Sequence, residues 1–384
     1  MKKVREFLGR RSVASFLSSL ISIIIGLVFG YLLLLAFDSE KALFGIKQIL
    51  FAGVSSPAKI AKVLYQAAPL VLTGLSVGFA FKTGLFNIGA SGQYMVGACF
   101  ALYTGIVLRQ PWYVAMTAAM LGGAIWGLIP GLCKALFNVN EVITSIMFNW
   151  IGLFAVNLFF SNTPKILANY YGSANANRTA NLAAANARAI IPTLGLDKLL
   201  KSPFMNISIL IAVAIAVVAF IVLNRTTFGY ELKACGFNKN ASIYAGINAK
   251  RNTALSMTIA GCLAGIGGGI YYLSGTVQYT IEKVLLSMGF NGIPVALLAQ
   301  SNPIATIFSA TFISYIQVGG DAMQPEFAKE IIDIIISVII YLSAVSLLVK
   351  GLITRLAERK KEAAPSPGQD TAQTPDDSKQ EATS

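Results

Sequence analysis

Ten apolar runs divide the chain, separated by short polar, charged or glycine-rich stretches. They cover residues 13–37, 61–81, 94–108, 112–131, 142–160, 207–223, 254–273, 285–299, 304–318 and 331–349. A helix needs about 20 apolar residues to cross a bilayer. The pattern therefore predicts an all-α, polytopic membrane protein with about ten transmembrane helices. The runs at 94–108 and 285–299 are short for a full crossing and mark broken helices. The first run follows Lys2, Lys3, Arg5, Arg10 and Arg11. It is too long for the apolar core of a signal peptide, so it reads as an uncleaved first helix.

Composition supports this division. Apolar residues make up 55% of the 384 and charged residues only 12%, about half the usual share of a soluble domain. Mean hydropathy is +0.66. A soluble enzyme and a disordered chain are both excluded. The net charge is +13, but the basic residues sit mainly at the ends of the apolar runs. That placement orients helices in a membrane and does not build a groove for nucleic acid. An even number of crossings puts both termini on one side. Placing them in the cytoplasm puts 18 of the 30 Lys and Arg residues inside, the expected sign for a protein of the cell membrane.

The expected organisation is a cytoplasmic N-terminus at 1–12, a transmembrane domain at 13–350 and a cytoplasmic tail at 351–384. The tail is polar and Pro-rich and cannot bury a core. Within the membrane domain, 161–203 forms a long external loop rich in Asn and Ala, either a flexible spacer or a docking surface. Residues 225–251 form an inside loop.

Chemistry is scarce. There is no His, and the four cysteines are scattered without a C-x-x-C pair, so neither metal site nor disulfide framework is suggested. There is no P-loop, nor any Gly-Lys pair, so the chain is not expected to be an ATPase or other enzyme. Acids within the spans are few, which argues against a proton-driven carrier. Glu141 suits a helix N-terminus, and Asp333 falls in the first turn of the last predicted helix.

Four features remain. Gly84 to Gln93 interrupts membrane-like sequence with three glycines, Asn87 and Gln93. It is either a tight turn or a broken helix lining a cavity, where transporters build substrate sites. Gly289-Phe290-Asn291-Gly292 echoes Phe86-Asn87 in the second half of the chain. A Phe with an Asn suits a flat polar ring: one stacks, the other bonds the edge. Residues 238–246 predict a short helix capped by Asn238 or Asn240 and ended by Gly246. It is either an ordinary loop helix or a knob for a partner's groove. Finally, Gly123, Gly127 and Gly131 repeat every four residues, as do Gly261, Gly265 and Gly269, a spacing that lets helices approach closely.

Several longer segments resemble one family. Glu141-Val142-Ile143-Thr144-Ser145-Ile146-Met147-Phe148-Asn149 is similar to an N-E-V-I-x-x-I-M-x-N segment of permease subunits of bacterial ATP-binding-cassette (ABC) importers, in the ribose, simple-sugar and nucleoside branch. Phe86 to Gln93 resembles that branch's F-N-I-G-x-x-G-Q, in the form carried by nucleoside permeases. Phe228 to Ile247 resembles its ATPase-contacting loop, and Gly289 to Leu298 its G-F-D/N-G-I-A-V-A-L-L, with Asn291 and Pro294 as departures. The resemblance spans about 60–350.

The resemblance implies a permease subunit importing nucleosides or a related simple sugar. It implies a second homologous permease, a cytoplasmic ABC ATPase pair and an extracellular substrate-binding lipoprotein as partners, with membrane lipid around them. ATP and Mg would reside on the ATPase, with no cofactor in this chain. It points to Tyr230, Glu231, Ala241, Tyr244 and Gly246 for ATPase coupling. With the helix breaks, it points to Phe86, Asn87, Gln93, Asn149, Phe290 and Asn291 for the substrate path. The alternative is a stand-alone secondary transporter or channel for a small polar solute.

Overall fold

The computed structural model describes residues 11–344 and Gly351. Most of the expected N-terminal segment and nearly all of the expected tail lie outside the described residues, as does the end of the run at 331–349. Among the described residues the protein is helical throughout, with two isolated β-bridges, Leu167 to Thr179 and Arg178 to Thr280.

The chain opens with α1 (Arg11–Phe37), α2 (Ala42–Phe51) and α3 (Pro57–Lys82). It continues through α4 (Ala90–Leu102), α5 (Trp112–Phe137) and α6 (Glu141–Ser161). The segment 162–207 carries the short helices α7 (Leu182–Ala185) and α8 (Leu196–Leu200). Then come α9 (Ser208–Arg225), α10 (Thr227–Phe237), α11 (Lys239–Tyr244) and α12 (Ala249–Leu273). The end is built by α13 (Ser287–Phe290), α14 (Gly292–Leu298), α15 (Pro303–Asp321) and α16 (Lys329–Ala344). Five of these, α3, α5, α6, α9 and α12, are long and apolar enough to cross a membrane. Shorter apolar helices lie at Ile23–Phe37, Ala42–Val54 and Ser287–Leu298.

Local chemistry sets many of the boundaries. Ser56 accepts from the Lys59 N–H, with Pro57 at the first position of α3. Asn140 caps α6, Asn248 caps α12, and Asn302 caps α15 ahead of Pro303. Each supplies an acceptor that the helix start lacks. Asn138 ends α5 in the left-handed region, at φ 53°. Glu141 lies in the first turn of α6, as the sequence suggests, and also pairs with Lys134 at 3.0 Å. The last helix begins at Lys329, two residues earlier than the run, so Asp333 sits in its second turn and not its first.

Of the five crossing-length helices, α3 and α12 are the most buried. The two glycine rows meet at the contact of α12 with α5. A Cβ on Gly265 would lie 2.4 Å from the Ala119 carbonyl oxygen and 2.9 Å from the Gly123 Cα. One on Gly127 would lie 2.5 Å from the Met257 carbonyl oxygen. Only hydrogen fits there, and the backbones approach to contact. Helix α6 is apolar on its outside. Ile143, Met147, Ile151, Phe154 and Leu158 are exposed, while Ser145, Asn149 and Gly152 are buried. That inversion suits a helix with lipid on one side.

Three departures from the sequence pattern matter. The run at 94–108 starts earlier, at Ala90, and leaves α4 through a π-turn at Tyr103–Val107. The run at 285–299 is two short helices joined at Asn291. Residues 38–56, outside every apolar run, contain α2, which packs Ile49 against Gly319 and Gly45 against Leu34.

Two ends of the bundle can be distinguished. One carries α10 and α11, which project as a knob. The other carries the segment 162–207, a cap tied to the bundle by hydrogen bonds. The Thr179 N–H donates to the Tyr279 carbonyl at 2.9 Å and the Ile281 N–H to Asn177 at 2.8 Å. The Ile191 N–H reaches the Leu273 carbonyl at 2.9 Å. Asn186 donates through Nδ2 to the carbonyls of Gly105 and Gln110, at 2.9 and 3.0 Å.

Candidate functional site

Between α3 and α4 the backbone unwinds over residues 83–89. Asn87 is fully buried there and donates through Nδ2 to Ser76 Oγ at 3.1 Å and to Gln93 Oε1 at 2.9 Å. Gln93 returns a bond from Nε2 to Asn87 Oδ1 at 3.1 Å. Asn149, on α6, accepts the Gly92 N–H at 2.8 Å and donates to the Ile88 carbonyl at 3.0 Å. Broken backbone inside an apolar bundle needs partners for its polar groups. Asn149 supplies two of them, while Asn87 and Gln93 satisfy each other and Ser76. Phe86 rests its ring on Phe81, with centroids 5.0 Å apart.

The echo segment meets this break directly. Ser91 donates from Oγ to the Leu286 carbonyl at 3.0 Å, and a Cβ on Gly289 would lie 2.3 Å from the Ser91 Cα. Phe290 and Asn291 line a cavity of about 1040 Å³ beyond it. The structure therefore divides the sequence-predicted path residues. Asn87 and Gln93 form a buried pair, Asn149 bonds the backbone between them, Phe86 packs beside the break, and Phe290 and Asn291 face the cavity.

The cavity also has walls that the sequence reading passed over. Gln66 and Tyr271 line it, as do Gln317 and Asp321 on α15 and Asp333 on α16. Asp321 pairs with Lys62 at 2.8 Å. Gln66 and Gln317 were legible as uncharged polar residues within otherwise apolar runs. Asp321 gave no such signal, because it ends its helix, where acids are common, and Asp333 stood out in the sequence only as an acid near a helix start.

At the knob, Asn238 caps α11 by accepting the Ala241 N–H at 3.0 Å, and Gly246 follows it at φ +81°. Tyr244 is 93% exposed and Phe237 91%. Tyr230, Glu231 and Ala241 border a cleft of about 470 Å³ on the same projection. Glu231 is held there by Asn252, whose Nδ2 donates at 3.0 Å. The knob touches the break. A Cβ on Gly236 would lie 2.5 Å from the Lys82 carbonyl oxygen, and one on Gly84 would lie 3.2 Å from the Gly236 Cα. The knob thus presents an exposed aromatic pair and a cleft, and packs against the unwound segment.

A helical bundle with lipid-suited flanks, two interlocked helix breaks and a protruding knob defines a membrane permease. The chain belongs to the family described as branched-chain amino acid transport system / permease component, which matches residues 59–344. It is 34% identical over 346 residues to the nucleoside ABC transporter permease protein NupB of Lactococcus lactis subsp. cremoris, covering 88% of this chain and 92% of that protein. It is 32% identical over 357 residues to the guanosine ABC transporter permease protein NupP of Bacillus subtilis, covering 91% and 99%. A second guanosine permease protein of Bacillus subtilis, NupQ, is 29% identical over 264 residues, covering 66% and 79%. No solved structure matches the chain.

Proposed function

We propose that the protein is the membrane-spanning permease subunit of an ATP-driven importer that carries nucleosides into the cell. The observation that carries this reading is the knob. Its exposed aromatics and cleft rest on the unwound segment that leads, through Gly289, to the cavity. Near-full-length similarity to nucleoside and guanosine permeases supports the substrate class.

In this reading the chain crosses the membrane ten times, with the short pair α13–α14 as one crossing. The packing of α12 against α5 and of α15 against α3 supports the alternation. The knob end faces the cytoplasm and the cap end the outside, so both termini are cytoplasmic. Residues 1–12, 13–350 and 351–384 are the cytoplasmic start, the membrane domain and the tail.

Tyr230, Glu231, Ala241, Tyr244 and Gly246 form the face for an ABC ATPase, which supplies ATP and Mg. Phe290 and Asn291 line the path, while Phe86, Asn87, Gln93 and Asn149 hold the hinge beside it. A second permease completes the path, and an external binding lipoprotein delivers substrate at the cap. Bacillus subtilis has two guanosine permease proteins among the relatives, which supports a paired arrangement.

The test is purification of the tagged chain in mild detergent, followed by uptake of labelled guanosine into vesicles. Recovery with a second permease and a P-loop ATPase, and uptake that needs ATP, is the expected result. Recovery of the chain alone, still moving solute without ATP, would make it a secondary carrier and overturn the proposal.

A further inference from the structure

We infer that Gln66 reads the base edge of the nucleoside inside the permease, so that this subunit itself discriminates among nucleosides. The inference rests on the nucleoside reading above. Gln66 lies within α3 and lines the cavity with Asn291 and Tyr271. Its Oε1 is buried and has no hydrogen-bond partner. Such an atom is costly to leave unpaired, and the great majority of buried polar side-chain atoms find a partner. Two nearby hydroxyls, those of Tyr65 and Ser274, are already engaged. Tyr65 Oη donates to the Tyr271 carbonyl at 3.0 Å and lies 3.0 Å from Ser274 Oγ. Its ring stacks on Tyr271 at 5.5 Å. Gln66 thus projects from a backbone fixed on one side, with an acceptor unused and the cavity on the other.

A carboxamide offers one acceptor and two donors on a flat group. Oε1 is buried where it stands, and a turn of the side chain about χ2 and χ3 brings both amide atoms to the cavity. A nucleobase edge presents an adjacent donor and acceptor, as in the N1–H and O6 of guanine or hypoxanthine, and matches it with two bonds. A simple sugar presents no such planar pair. The cavity, about 1040 Å³, is at the upper end of the range for small-molecule sites, about 300–1,000 Å³, and has room for the whole nucleoside. A site built to bond a particular N–H rejects analogues lacking it, because its own polar atom is then stranded.

The test uses the assembled transporter, with its ATPase and binding protein, in vesicles at saturating binding protein. Labelled guanosine and inosine are compared, since they differ only in the 2-amino group. The wild type should carry both at similar rates through the shared N1–H and O6 edge. Gln66→Glu replaces the carboxamide by two acceptors, which suit the adjacent N1–H and N2–H donors of guanosine and repel the inosine O6. The guanosine-to-inosine ratio of kcat/KM should rise about tenfold, the equivalent of about 1.4 kcal/mol. An unchanged ratio, or an equal fall for both in a complex that still hydrolyses ATP, would overturn the assignment.

Gln66→Met offers a second, neutral check. The wild type should prefer guanosine over N1-methylguanosine, and Gln66→Met should lose that preference. Retention of it would also remove Gln66 from the site. A wild-type complex that carries neither nucleoside would instead sink the nucleoside reading itself.

Discussion

Asn149 uses both ends of its carboxamide on backbone, one on the Gly92 N–H and one on the Ile88 carbonyl. Replacement by Leu strands both groups in a buried setting, at about 1–3 kcal/mol for each. Asn149→Leu should therefore lower the melting temperature in detergent by several degrees, and an unchanged melt would show that the break does not depend on it. Asn291 has the contrary role. It is partly buried, borders the cavity and sits at the joint of α13 and α14. Asn291→Ala should change the KM or kcat of uptake while the subunits still co-purify. Unaltered kinetics would take it off the path. In the sequence, Phe-Asn beside glycine looked alike in both halves. Polarity inside an apolar run announces that a residue has a task, but not whether its partner is backbone or ligand. That choice is made by neighbours far along the chain, as Asn149 is for Gly92.

Helix α11 has six residues and no independent stability, so its shape comes from Asn238, Gly246 and its seat on α10 and α12. Its caps were readable in sequence because caps are local chemistry. Tyr244 presents almost its whole surface, and in the proposed complex it enters a packed contact. Tyr244→Asp would place a charge there without touching the fold, since the side chain meets so little of its own chain. The variant should stay in the membrane at normal level and lose ATP-driven uptake; normal uptake would remove the knob from coupling.

The contact between α5 and α12 tests a different property. Gly265→Ala puts a methyl group against the Ala119 carbonyl and the Gly123 Cα. Overpacking of this kind costs about 1–3 kcal/mol, and more where backbone cannot yield. The expected outcome is a lowered melting temperature and reduced yield, measured beside Gly172→Ala, where a Cβ would meet nothing within 4 Å but φ is +81°. The four-residue glycine spacing foretold close packing, yet not which rows would meet. Helix α2 was missed because, at ten residues, it is half the length that a search for crossings seeks.

At the scale of the whole molecule, the two dissimilar ends give the proposed orientation a direct test. With the four native cysteines replaced by Ser, Arg188→Cys in the cap and Lys239→Cys in the knob should label from opposite sides of sealed vesicles. Labelling of both from one side would overturn the proposed orientation. Hydrophobic patterning made the bundle visible, because a crossing helix needs its own apolar length. The folded cap was not visible, since its order comes from backbone bonds to Tyr279, Asn177 and Leu273 and not from any apolar run.

The central helix α12 begins just past the knob and ends where the Leu273 carbonyl fastens the cap. Its 25 residues make a rod of about 37 Å, gripped along its length by glycine contacts that leave no slack. In the proposed importer it would serve as a connecting rod between two machines on opposite sides of a wall. A push at either end is delivered to the other with little lost to bending. Linkage then runs both ways: whatever tightens its hold on the cap when the knob is engaged must, by the same factor, tighten the hold on the knob when the cap is occupied.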